Sequence, residues 1–140
     1  MKTITIINGP NLNLLGQRET EIYGRESFED YLRSIRDEFH DIDITYFQSN
    51  VEGEIINKIH ASSGISTGII INPGGYSHTS VAIRDAIASV SLPVIEVHIS
   101  NLYKREDFRQ SCITAGACLG LISGLGLKGY RSAIQFLLSL

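Results

Sequence analysis

Gly68-Ile69-Ile70-Ile71-Asn72-Pro73-Gly74-Gly75 is the stretch on which the fold turns. Three consecutive isoleucines leave no side to face water. Asn, Pro and two glycines then stop the run at once. A short, continuous apolar run ended by turn residues has the pattern of a central parallel strand, buried on both faces. Two further runs share this form. Lys2 to Ile7 is short, β-branched and mostly apolar, and it ends in Asn8-Gly9-Pro10. Val94-Ile95-Glu96-Val97-His98-Ile99 follows Pro93 and ends in Ser100-Asn101.

Between these runs the apolar period changes from strand to helix. Ser27 opens a first helix, with Asp30 three residues on, close to a capping box. Phe28, Leu32, Ile35 and Phe39 follow at helical spacing. Ile42 to Gln48 alternates polar and apolar, as suits a strand nearer an edge. Asn50 begins a second helix, with Val51, Ile55, Ile56 and Ile59 on one side. Ser77, His78 and Thr79 precede a third, with Ile83, Ala86, Ile87 and Val90 inward, and Ser77 reads as its N-cap. Residues 104–116 have no clear period and leave room for one helix around Phe108 and Cys112. Leu119 to Ser123 makes a weak fifth strand. Tyr130, Ala133, Ile134, Leu137 and Leu138 make a closing amphipathic helix.

Strand and helix thus alternate five times. That pattern predicts an α/β three-layer sandwich, a parallel sheet with helices on both faces. Right-handed crossovers leave few arrangements, and the flavodoxin-like strand order 2-1-3-4-5 is expected. Residues 1–140 read as one domain. Such sheets bind ligands beyond the carboxyl ends of their strands, where the order reverses. The ends of strands one, three and four all carry polar clusters, so all three converge on one crevice.

Composition excludes several roles. With 12 basic and 15 acidic residues the net charge is −3. No basic run reverses it, which argues against a nucleic-acid or anionic-membrane partner. No apolar stretch is long enough to span a bilayer, and no signal-peptide shape is seen. Cys112 and Cys118 make neither a disulfide framework nor a metal-type spacing, so a reduced, cytoplasmic setting is expected.

The crevice directs attention to a few side chains. Glu96 and His98 are two apart on a strand and share a face. A carboxylate beside an imidazole raises its proton affinity and fixes its tautomer. At the crevice, this pair reads as an acid–base couple. Asn72 and His78 flank a glycine-rich turn before a helix, a natural anion or hydroxyl site. The stretch from Asn8 to Gly24 reads as loop with fixed turns, and it carries Arg18 and Tyr23. A phenol ordinarily titrates near pH 10, so a tyrosine base needs a cation close by. Arg18 is the local source, although spacing alone gives both residues no role beyond a surface loop. Asp85 and Arg109 read as solvated charges. Gly124-Leu125-Gly126-Leu127-Lys128-Gly129 matches a dinucleotide fingerprint in letters only, because no strand and acidic residue follow it. It reads as a tight turn where strand and helix pack closely.

Together, four segments resemble type II 3-dehydroquinate dehydratase over essentially the whole chain. They are Asn8 to Gly16 with Arg18 and Tyr23-Gly24, Asn72 to Ser80, Glu96 to Asn101, and Arg105 to Arg109. One departure is Thr20, where the family often has Pro, and it removes no reactive group. The resemblance implies dehydration of 3-dehydroquinate to 3-dehydroshikimate without metal or cofactor. It implies Tyr23 as the base, Arg18 as the group that keeps Tyr23 anionic, and Asn11 as the holder of a water that supports an enolate. It further implies His98 as the acid, oriented by Glu96. Asn72, His78, Arg109 and the backbone of Ile99 and Ser100 would bind substrate. Asp85 would reach in from a neighbouring subunit of a trimer-based dodecamer. The alternative is a flavodoxin-like ligand-binding or signalling module without catalysis. A receiver of that kind would want clustered carboxylates after strand one, where this chain has Asn and Gly. Whether the enzyme serves biosynthesis of aromatic compounds or breakdown of quinate is left open by the residues.

Overall fold

A computed structural model describes residues 1–17 and 19–140. Five parallel strands form one sheet: β1 (Thr3–Asn8), β2 (Asp43–Gln48), β3 (Gly68–Asn72), β4 (Val94–His98) and β5 (Gly120–Ser123). Their spatial order is β2-β1-β3-β4-β5, all neighbours parallel. The expected order is therefore the observed one. The strands predicted to be doubly buried are so along their length, since every residue of β3 and β4 is buried.

Helices cover both faces, and the period of two along each strand assigns the layers. Ile4, Ile6, Ile70, Ile95 and Val97 face α2 (Phe28–Glu38) and α5 (Lys128–Leu138). Ile7, Ile69, Ile71 and Val94 face α3 (Glu52–Ser62) and α4 (Val81–Ser89). The same alternation sorts the polar strand ends. Asn8 and Asn72, paired in register, point with the first set towards α5. Glu96 and His98 point with Val94 towards α4.

On the α5 side one phenol closes the structure. Tyr130 is fully buried, donates to Asn8 Oδ1 at 2.7 Å and accepts from Asn72 Nδ2 at 3.0 Å. The closing helix is thereby locked to the ends of two central strands. The turns after those strands also touch. Gly9 N donates to the Asn72 carbonyl at 2.7 Å. A Cβ on Gly9 would lie 2.5 Å from the Pro73 carbonyl oxygen, so only glycine allows the approach.

Several expectations are corrected. The Asn8–Gly24 segment is not all loop. It holds a 3₁₀ turn at Leu12–Leu14 and a four-residue helix, α1 (Thr20–Tyr23), closed by Tyr23 N to Glu19 O and Gly24 N to Thr20 O. One helical turn is too short to show a period. Helix α3 starts at Glu52, and Val51 is exposed, because Ser49 Oγ accepts from Val51 N and fixes the entry. Residues 104–116 hold no single helix. Three 3₁₀ turns, Leu102–Lys104, Asp107–Gln110 and Ala115–Ala117, cross the region. Ser77 is not the N-cap of α4. Ser80 is, accepting from Ile83 N at 2.9 Å.

Tyr130→Phe tests the closing lock. Removing the hydroxyl strands Asn8 Oδ1 and Asn72 Nδ2 out of reach of water, and should cost about 2 kcal/mol in urea unfolding with an unchanged m value.

Candidate active site

The converging strand ends enclose a cavity of about 120 Å³. Each wall comes from a different segment. Pro10, Asn11, Leu12, Leu15 and Tyr23 come from the segment after β1. Asn72, Gly74, Gly75 and His78 come from the turn after β3. His98, Ile99 and Ser100 end β4, and Leu102, Arg105 and Arg109 lie on the 3₁₀ turns beyond. Nine of the eleven residues singled out for the site lie at this cavity. Asn11, Tyr23, Asn72, His78, His98, Ile99, Ser100 and Arg109 line the cavity, and Glu96 lies directly behind His98. Asp85 is exposed on α4 and lines no part of this cavity. Arg18 lies outside the described residues.

The Glu96–His98 couple is the most deeply buried charge pair at the site. Glu96 has no solvent exposure and His98 only 5%. Nε2 of His98 lies 2.7 Å from Oε2 of Glu96. An ionised carboxylate only accepts, so Nε2 carries a proton. Burial works against a charged imidazole here. Hydrogen bonding to Cys112 and Glu96 and the Glu96 charge outweigh it, and His98 is raised from 6.5 to about 9. The pairing with Glu96 therefore favours the protonated ring.

His78 is set differently. Its Nδ1 lies 2.9 Å from the Ser111 carbonyl, which can only accept, so Nδ1 donates. In the neutral ring Nε2 is then an acceptor. The His78 and His98 rings stack with centroids 6.2 Å apart. Asn72 is held from two sides, by Tyr130 and by Gly74 N, which donates to its Oδ1 at 3.1 Å. Asn11 adopts the left-handed backbone at φ 70°, a conformation its short amide tolerates. Its N–H donates to Asn50 Oδ1 at 3.0 Å, which ties the loop after β1 to the end of β2.

Arg105 is the site residue that the sequence reading left without a role. Its Nη1 donates to the Tyr23 hydroxyl oxygen at 2.9 Å and to Ser100 Oγ at 3.2 Å. The guanidinium also lies over the Tyr23 ring, 5.4 Å from its centroid. Among the described residues its Nε is buried without a hydrogen bond, with Glu106 the nearby carboxylate at 3.8 Å. Arg109 pairs with the same Glu106 at 3.2 Å. The one trace of Arg105 in the sequence was its place in the segment Arg105 to Arg109, chosen for its resemblance to the family.

Glu96, His98 and Cys112 bring possible metal-ligand atoms within 4.8 Å of one another, a grouping that spacing in the chain did not reveal. Glu96 is already engaged there. Oε2 accepts from Ser77 Oγ at 2.8 Å and from His98, and Oε1 accepts from Thr114 Oγ1 at 2.5 Å. The arrangement is that of a hydrogen-bonded carboxylate–imidazole pair. The cavity around it combines a charged imidazole, two guanidiniums and a phenol, and suits proton transfer on a small anion.

The family model described as "Dehydroquinase class II" matches residues 2–138. The chain is 55% identical to a 3-dehydroquinate dehydratase of Fusobacterium nucleatum, over 96% of this chain and 95% of that one. It is 52% identical to a 3-dehydroquinate dehydratase of Clostridium botulinum, over 99% and 96%. Among solved structures, a type II dehydroquinase from Butyrivibrio crossotus superposes with a TM-score of 0.94 at 50% identity, covering 97% of each chain. Another from Propionibacterium acnes gives 0.95 at 37% identity, covering 100% and 98%. With a match of this length in sequence and in shape, the chain belongs to the class II dehydroquinase family.

Proposed function

We propose that this enzyme, by family a type II 3-dehydroquinate dehydratase, forms 3-dehydroshikimate by stepwise elimination through an enolate, with Tyr23 as base and His98 as acid. One observation carries this reading. Tyr23, under the Arg105 guanidinium, and His98, backed by Glu96, line the same cavity. The proton to be removed sits beside a ketone, so the electron pair left behind becomes an enolate. Tyr23, as a phenolate, takes that proton, and a guanidinium at hydrogen-bond distance is the group that carries a phenolate's charge. The enolate then expels the hydroxyl, and His98 gives it a proton so that water leaves. Each proton transfer supplies on the order of 10²–10⁴-fold. Donors already in place around the developing oxyanion add to this without reorganising. Asn11 is assigned the water that supports the enolate, and Arg18 a second charge on Tyr23.

The substrate is itself an anion, while the protein is net negative. Attraction is therefore local. Arg109, the acceptor–donor pair of Asn72 and His78, and the backbone at Ile99 and Ser100 are assigned its carboxylate and hydroxyls. Asp85, exposed on α4, is assigned to the cavity of a neighbouring subunit in a dodecamer of trimers. The chain acts as one catalytic domain in the cytoplasm and uses no cofactor.

Turnover is read from the ultraviolet absorbance of the conjugated enone product. It should persist in chelator and after borohydride with substrate. Inactivation by borohydride would mean a covalent imine and overturn the mechanism. Tyr23→Phe should lose about 10²–10⁴ in kcat while folding normally. Arg105→Gln should lose about tenfold or more in kcat, whereas a surface control, Arg131→Gln, should lose nothing.

The His98 shift also predicts a stability profile. A folded-state value raised above the unfolded one stabilises the protein fully below about 6.5, and that contribution is lost as pH rises through about 9. Unfolding free energy should therefore decline across that window, and His98→Gln should flatten the decline.

A further inference from the structure

Ser77 and Thr114 line no part of the cavity, yet neither has any solvent exposure. They come from different segments. Ser77 sits in the 3₁₀ turn Gly74–His78, and Thr114 directly precedes the turn Ala115–Ala117. The backbone ties them together, Thr114 N donating to the Ser77 carbonyl at 3.4 Å. Both hydroxyls are directed to one carboxylate, Ser77 to Oε2 and Thr114 to Oε1 of Glu96.

We infer that Ser77 and Thr114 are positioning residues that hold Glu96 as an aimed carboxylate, and so keep the shared proton of the Glu96–His98 pair on the imidazole. The inference rests on the reading of His98 as the acid. A fully buried carboxylate with a single partner would tend to take up the proton itself. The pair would then hold the same number of protons with the wrong member carrying the one to be transferred. Three donors on two oxygens, from Ser77, Thr114 and His98 Nε2, oppose this. A protonated carboxyl would have to place its own hydrogen where a donor already points. The raised proton affinity of His98 agrees.

Other titratable groups surround the pair. The Cys112 thiol is within 4.8 Å, and His78 stacks on His98. Cys118, on the α4 side, has its thiol pushed up to about 12 by burial and stays neutral. Tyr23, Arg105 and Arg109 face the same cavity. None of these donates to Glu96 among the described residues, so the two hydroxyls are the groups to remove.

The test measures kcat and KM for 3-dehydroquinate against pH, alongside NMR titration of the ¹⁵N-labelled His98 ring, in wild type, Thr114→Val, Ser77→Ala and Thr114→Ser. Thr114→Val should lower kcat about tenfold with little change in KM. It should also leave the His98 ring less protonated at neutral pH, while the alkaline limb does not fall, because the pair keeps its proton on the more basic Glu96. Thr114→Ser, which keeps the hydroxyl, should restore both. Ser77→Ala should act in the same direction and serves alone if Thr114→Val does not fold. Folded variants that lose stability but keep the wild-type protonation of the His98 ring would overturn the inference. Wild-type turnover that survives His98→Gln would instead overturn the acid assignment, and the ring titration would still decide the role of the two hydroxyls.

Discussion

A carboxylate cut off from water must be either neutralised or surrounded by donors, and Glu96 is surrounded. It sits near the end of a central strand with no exposure, and three donors from three segments meet its two oxygens. This constraint organises the functional half of the molecule. It draws the turn after β3 and the segment before β5 over the end of β4. It turns His98 so that Nε2 meets Glu96 Oε2 at 2.7 Å. The opposite side of the sheet has a neutral counterpart, in which Tyr130 joins Asn8 to Asn72. The cavity floor is thus held from both layers.

Charge around the cavity is arranged against the sign of the whole chain. The protein carries −3, while the cavity gathers two arginines and a protonated histidine. Glu106 partly offsets both arginines and holds their stems in place. An entering carboxylate would therefore meet preorganised donors in a partly desolvated space, where such interactions are stronger than in water. Arg105 touches both Tyr23 and Ser100. It couples the segment that carries the phenol to the strand end that carries His98.

The fold was legible because it is written in local patterns. The isoleucine run before Asn72 could only be a doubly buried strand, and the capping Ser27 and the period of Phe28, Leu32 and Ile35 marked their helix directly. The polar strand ends were equally visible, so the position of the crevice and the Glu96–His98 couple could be read from the chain. What escaped was non-local. Ser77 looks like a cap because it stands just before a helix, and nothing nearby in sequence says that its hydroxyl reaches Glu96, 19 residues on. Tyr130 looks like one more apolar position of the last helix, and its partners lie 122 and 58 residues away. Arg105 could not be told from a surface charge until the short helix at Thr20–Tyr23 set the phenol beneath it. That helix is a single turn, below the length at which a period can be read.

The central claim is that a phenolate and an imidazolium divide one elimination between them. The most direct measurement is a crystal structure with a planar, enolate-like cyclohexene carboxylate bound. The account predicts the Tyr23 oxygen about 3–3.5 Å from the ring carbon that loses its proton, with His98 Nδ1 facing the carbon that bears the hydroxyl. A ligand seated in the cavity with the phenol turned away from its ring, or with His98 out of reach of the leaving oxygen, would contradict it.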